Sequence, residues 1–220
     1  MLVRALRRTQ RERSDATRTA LTVAARELFA ELGFHATPAE AVVRRASVTS
    51  GALYHHFHDK KDLFRAAFEA VEASLADRVA AEARLGRDAW ERLEKGVVEY
   101  LRACRENEVR RIVLQDGPSV LGWEEWHTID EARHLRPLAA SLASAMRAGM
   151  LERRPPEPLA RVLLGALTEA GLVADGHATA VHEAALWVLR ELRSNGASSR
   201  GTKGRRPRRK PMRSKQKVLE

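Results

Sequence analysis

The sequence predicts an all-α fold: an N-terminal three-helix helix-turn-helix domain followed by a larger helical domain. Three observations carry this. Apolar residues recur every three or four positions along most of the 220 residues, and no run alternates with period two for long enough to make a strand. Aromatic residues are only 5% while Ala, Leu, Arg and Glu abound, a mixture that favours helix. Between Thr37 and Phe57, two short helical segments are separated by only a few residues.

The elements follow in order. From Ala16 to Leu32, Leu21, Ala25, Leu28 and Leu32 share a helix face with Phe29 beside them, and Gly33 supplies the left-handed residue that ends the helix. Thr37-Pro38 reads as cap and first position of a second helix ending near Ala46. Ser47 to Ser50 make a turn, and Gly51 to Phe57 a third segment. Asp59 caps a long fourth helix along whose face run Phe64, Phe68, Val71, Leu75 and Val79; Gly86 closes it. Asp88 opens an amphipathic helix through Trp90, Leu93, Val97, Leu101 and Cys104. Val109–Leu114 is expected as a short helix stopped by Gly117-Pro118, and Ser119–Met150 as a long helical region that Pro137 interrupts or restarts. After the Arg153-Arg154-Pro155-Pro156 break, two last helices fit Leu159–Ala174 and Ala178–Arg193.

Composition excludes several classes. One cysteine permits neither an intrachain disulfide nor a cysteine-based zinc site. No window reaches the roughly 18 uninterrupted apolar residues of a membrane span, and the N-terminal arginines precede no apolar core of a secretory signal. A cytoplasmic protein with no membrane partner is expected. The two ends together carry more positive charge than the chain's whole net charge of +10. Residues 1–15 carry Arg4, Arg7, Arg8, Arg11 and Arg13 against Glu12 and Asp15. Residues 194–220 carry a run of Arg and Lys against Glu220 alone, with hardly an apolar residue, and are expected to be disordered. The body from 16 to 193 is slightly negative. Basic arms on a near-neutral globule suit a polyanion partner.

Within Thr37–Lys61, Val42 and Ala46 face inward from one helix, Val48 fills the turn, and Leu53 and Phe57 anchor the next helix. That helix then presents Ser50, Gly51, Ala52, Tyr54, His55 and His56 outward. Small residues at its start allow the first turn into a DNA major groove, where bulk would block approach. Tyr54 offers a phenolic donor to phosphate, and Lys60 adds a cation beside it. His55, His56 and His58 lack a carboxylate or thiolate set at metal-binding spacing, so neither metal nor cofactor is expected.

The run A-x-E-L-F-A-E-L-G-F-H-A-T, then G-A-L-Y-H-H-F, then D-K-K-D-L-F resembles the DNA-binding domain of the tetracycline-repressor (TetR) family over Thr17 to Phe68, about a quarter of the chain. The resemblance implies that Thr49 caps the recognition helix and that Ser50, Gly51 and Ala52 approach the bases. It implies that Tyr54, His56, Lys60 and Thr37 touch the DNA backbone. Ser47 stands where the family usually has a turn glycine, and a non-glycine in a left-handed turn costs roughly 1–2 kcal/mol. The organisation implied is a basic arm (1–15), the helix-turn-helix domain (16–58), a helical effector-binding and dimerisation domain (59–193) and the basic tail (194–220).

By the same resemblance the last two helices pair with a second copy, with Leu163, Leu164, Leu167, Leu186 and Leu189 supplying apolar surface and Gly165 and Ala166 allowing close approach. The implied partners are a palindromic double-stranded DNA operator, a second copy as homodimer, and a small apolar effector. Trp123, Trp126, His127, Met146 and Met150 lie where the family keeps its effector pocket; core packing is the competing reading. No nucleophile elbow or phosphate loop occurs, so no enzyme is expected. The function expected is a repressor released from its operator by the effector. The alternative is a non-specific architectural protein driven by the tail, whose Lys203–Pro211 stretch is loosely similar to an AT-hook.

Overall fold

The computed structural model describes residues 2–173 and 175–198, and every described element is helical. The helices are α1 (Leu2–Leu32), α2 (Ala39–Arg45), α3 (Ser50–His56), α4 (Lys60–Arg84), α5 (Ala89–Cys104), α6 (Gly117–Leu121), α7 (Trp123–Asp130), α8 (Arg136–Arg147), α9 (Pro156–Leu172) and α10 (Asp175–Ser198). Two stretches wind more widely, as π-helix: Val109–Asp116 before α6 and Glu131–Leu135 between α7 and α8. No described helix is long and apolar enough to cross a membrane.

Helix α1, the short helices α2 and α3, and the start of α4 form a head. Leu21, Ala25 and Phe29 of α1, Val42 of α2, Leu53 and Phe57 at α3, and Leu63 and Phe64 of α4 are all essentially buried in it. The rings of Phe29, Phe34 and Phe64 meet at centroid distances of 5.2 to 5.9 Å, mostly edge-on. Each buried leucine or phenylalanine contributes about 1.5–3 kcal/mol, so the head's helices are held by this core rather than by their own propensity. The expected caps are present: Asp59 accepts from Asp62 N at 2.7 Å and Asp88 from Glu91 N at 2.8 Å. Gly33 ends α1 with φ +81°.

The body packs α4 and α5 as a hairpin beside α8, α9 and α10. Phe64, Phe68, Val71 and Leu75 face inward from α4, and Trp90, Leu93, Val97, Leu101 and Cys104 from α5, as their spacing predicts. Arg78 ties the hairpin, donating to Glu99 at 3.0 Å and to Glu106 at 2.6 and 2.7 Å.

Several boundaries differ from expectation. Helix α1 begins at Leu2, so the basic stretch to residue 15 is a helical extension rather than a separate arm. Gly117-Pro118 stops nothing: Pro118 sits in the first turn of α6, directly after the first π segment, and Gly122 (φ +94°) makes the break. Pro137 marks a restart, one of the two outcomes expected of it: it lies in the first turn of α8, directly after the second π segment. Helix α9 starts three residues early at Pro156, and α10 runs to Ser198, into the expected tail. The AT-hook-like stretch lies outside the described residues.

Candidate nucleic-acid interface

Helix α3 is fixed from beneath and capped in front. Leu53 and Phe57 are 3% and 1% exposed, and the Arg18 guanidinium lies 4.8 Å from the Phe57 ring centre while Nη1 donates to the His56 carbonyl at 3.4 Å. Thr49 Oγ1 accepts from Ala52 N at 3.2 Å, the N-cap that the resemblance implies. The turn before it takes the left-handed conformation at Ser47, φ 56°. What remains outward is Ser50, Gly51, Tyr54 and His55, all exposed, with Ala52 and His56 half-buried. His56 is held below the ordinary imidazole range by burial first, then by His55 and Arg18, so it is a neutral hydrogen-bonding ring at pH 7.

Gly51 is informative. A Cβ added there would meet only Thr49 Oγ1 at 3.9 Å, so nothing in the fold requires glycine. Glycine within a helix costs about 0.5–1 kcal/mol relative to alanine. Its presence therefore suits a backbone that must come close to something outside the chain. Exposed Arg44 on α2 and Arg11 and Arg13 on α1 add unburied cations to the head, whereas Arg45 is engaged by Glu27 at 2.9 Å and Glu31 at 3.5 Å.

Two sequence-expected contacts are placed differently. Thr37 is fully buried; its hydroxyl lies 2.7 Å from the Gly33 carbonyl and 3.2 Å from that of Leu28, so it pins the end of α1, neither capping α2 nor facing outward. Lys60 turns inward, Nζ donating to the Phe34 and Thr37 carbonyls at 2.8 and 3.0 Å above the Phe34 ring. Its third N–H is the one left for a phosphate.

The profile described as bacterial regulatory proteins, tetR family, matches residues 21–67, the head just described. A second, tetracyclin repressor-like C-terminal domain, matches residues 90–195. The chain belongs to the TetR family. Among solved structures, a TetR-family transcriptional regulator from Pectobacterium atrosepticum is 30% identical with a TM-score of 0.70, over 83% of this chain and 94% of that one. The transposon Tn10 TetC protein of Escherichia coli is 31% identical over 120 residues, 54% of this chain and 60% of TetC. The regulator UidR of Escherichia coli is 44% identical over 50 residues, 23% of this chain and 26% of UidR. The chain thus spans less than two thirds of the length of these two curated relatives.

The body of this TetR-family chain holds a cavity of about 520 Å³ between α4, α5, α8 and α9. Its wall is mainly apolar, with Val79, Leu93, Val97, Leu138 and Leu167 around Tyr100 and His134. None of Trp123, Trp126, His127, Met146 and Met150 lines it. Trp126 is core, its indole N–H bonded to the Val113 carbonyl at 3.0 Å, and Trp123 is 64% exposed with its ring stacked on His127. Met146 is buried and Met150 half-buried, outside the cavity. The cavity was missed because its lining comes from helices distant in sequence; alanines and Gly96 along the facing sides of α4 and α5 are the faint signal.

Sequence reasoning also missed how the head joins the body. Besides the continuous α4, the first π segment and the turn before it grip the end of α1. Arg26 pairs with Glu108 at 2.8 and 3.0 Å, Asn107 donates to the Ala30 carbonyl at 2.6 Å, and Arg111 to that of Leu32 at 3.2 Å. Asp116 accepts from Phe34 N at 2.7 Å.

Proposed function

We propose that this chain is a sequence-specific, DNA-binding transcriptional repressor. It acts as a homodimer on a palindromic operator and is released when a small, largely apolar molecule occupies the body cavity. One observation carries the reading most directly. The face of α3 starting Ser50-Gly51-Ala52 is capped, anchored and exposed, and it keeps a glycine that the fold does not need. The expected contacts are Ser50, Gly51 and Ala52 to bases and Tyr54 and Lys60 to phosphates.

Dimerisation is supported by an exposed apolar face on α9 and α10. The expected leucines do not form it: Leu163, Leu164, Leu167 and Leu189 are at most 8% exposed and pack inside the chain, with Leu186 half-buried. The face is made instead by Val162, Trp187 and Val188, exposed by 71%, 62% and 47%, with exposed Gly165 and Ala166 beside Val162. A cytoplasmic, nucleoid-associated location accompanies this reading, and no catalytic role is proposed.

The test is selection of bound fragments from a genomic DNA pool by the full chain at about 150 mM salt, where non-specific binding is weakened. Recovery of one short palindrome, lost with Gly51→Gln and weakened by Tyr54→Phe, supports the reading. Strong unselective binding that neither change alters would overturn it in favour of a tail-driven architectural role.

A further inference from the structure

The helical body contains a buried cluster that neither packing nor the cavity accounts for. Glu72, on the inner face of α4, is 0% exposed. Its Oε2 lies 2.5 Å from His134 Nε2, and its Oε1 has no partner. Asp130, at the end of α7, is 6% exposed. One ligand atom from each of Glu72, Asp130 and His134 lies within 4.8 Å of the other two. Neither carboxylate has a lysine or arginine as ion-pair partner among the described residues.

We propose that Glu72, Asp130 and His134 hold a divalent first-row transition-metal ion, zinc in kind. Two buried carboxylates and one imidazole leave an uncompensated negative charge or a hidden proton, and burying an unpaired charge is strongly unfavourable. A doubly charged cation with two carboxylates and a neutral imidazole sums to zero. Imidazole nitrogen and carboxylate oxygen are ordinary zinc donors at about 2.0–2.2 Å, and tetrahedral donor pairs then stand roughly 3.3 Å apart. Binding therefore opens the Glu72–His134 contact by less than an ångström and gives the unpartnered Glu72 oxygen a role. Asp130 and His134, four residues apart across the start of the π segment, share one face of the helical run and are both buried. Three protein donors leave a coordination position open, the pattern of a site that accepts a further ligand. His134 belongs also to the cavity wall, so such a ligand comes from that side.

The test uses untagged full-length protein, stripped with chelator, dialysed and titrated with Zn²⁺ at pH 7. The expected result is one Zn²⁺ per chain at micromolar affinity or tighter. Crystals grown with Zn²⁺ should show an anomalous peak, at the zinc edge, among the three side chains. His134→Gln and Asp130→Asn should each weaken binding by more than the about 10- to 100-fold typical of losing a supporting group. A His55→Ala/His56→Ala variant, which removes the exposed surface pair, should retain it. No stoichiometric uptake, a peak elsewhere, or binding that His134→Gln leaves unchanged would overturn the proposal. The diffraction readout on the wild-type chain decides the matter even if a core variant fails to fold.

Discussion

At the scale of single residues, Ser47 shows a turn geometry imposed on a side chain that resists it. Its φ of 56° is the left-handed conformation the chain must adopt to swing α3 across α2. Ser47→Gly should stabilise the head by about 0.5–1 kcal/mol, the relief of left-handed strain being partly offset by the more flexible unfolded chain. Urea unfolding followed by circular dichroism would measure it; a loss of stability would show that the serine side chain contributes something the backbone argument omits. The resemblance already held this feature and the Thr49 cap, while the Asp59 cap was legible from its nearest neighbours alone. Thr37 was legible as important but not in its role. Its hydroxyl turns back to carbonyls of α1, a choice made by the burial of the whole turn rather than by the Thr-Pro pair.

At the scale of elements, the α4–α5 hairpin depends on charge as well as on its apolar seam. Arg102, and Arg78 after it, hold the Glu99 carboxyl below the usual range against the opposing effect of burial. Glu106 is lowered likewise, chiefly by Arg78. A carboxylate depressed in the folded state adds stability above its unfolded value, near 4.3, and that stability is lost as pH falls through the folded value. The hairpin should therefore weaken below about pH 4.5. Glu99→Gln should be less stable at pH 7 by about 1–2 kcal/mol and show a flatter acid limb. Thermal melts between pH 3 and 7 would show it, and parallel limbs would contradict it. Helix type and order were readable from periodicity throughout, since an amphipathic stripe names its own buried face. The π segments were not. A widened turn leaves no local mark, and both precede a proline in the first turn of the following helix, which reads in sequence as a break.

For the whole molecule, the decisive surfaces are those whose partner lies outside the chain. The leucines of α9 and α10 looked like a mating surface because a single sequence cannot say which of two apolar faces meets its own core. The structure turns them inward and leaves Val162, Trp187 and Val188 outside. If the proposed dimer uses this face, Trp187→Glu combined with Val162→Glu should yield monomer in light scattering while helicity is kept, and should weaken binding to the proposed palindrome, since one head reads only half of it. An unchanged mass would move the interface elsewhere. Head and body should also be separable by chemistry. Glu108→Gln with Asp116→Asn loosens the contacts to Arg26 and to Phe34 N while leaving α3 untouched. Operator affinity should then change little, while the proposed effector response shrinks within the about 5- to 150-fold range typical of coupled sites. An effector response as large as that of the unaltered chain would show that α4 alone carries the signal.

That double attachment has a mechanical consequence. A head hung from α4 alone would swing about one pivot, and any bend of that helix would scatter the recognition surface over many angles. With Asn107 and Glu108 in the turn before the π segment, and Arg111 and Asp116 within it, clasping the end of α1 and Phe34 just beyond it, the head rides on two mounts. Two mounts behave as a parallel linkage: if α4 slides relative to the π segment, the head must roll along a defined arc. A small, one-dimensional displacement in the body is thus geared into a repeatable change of attitude at α3.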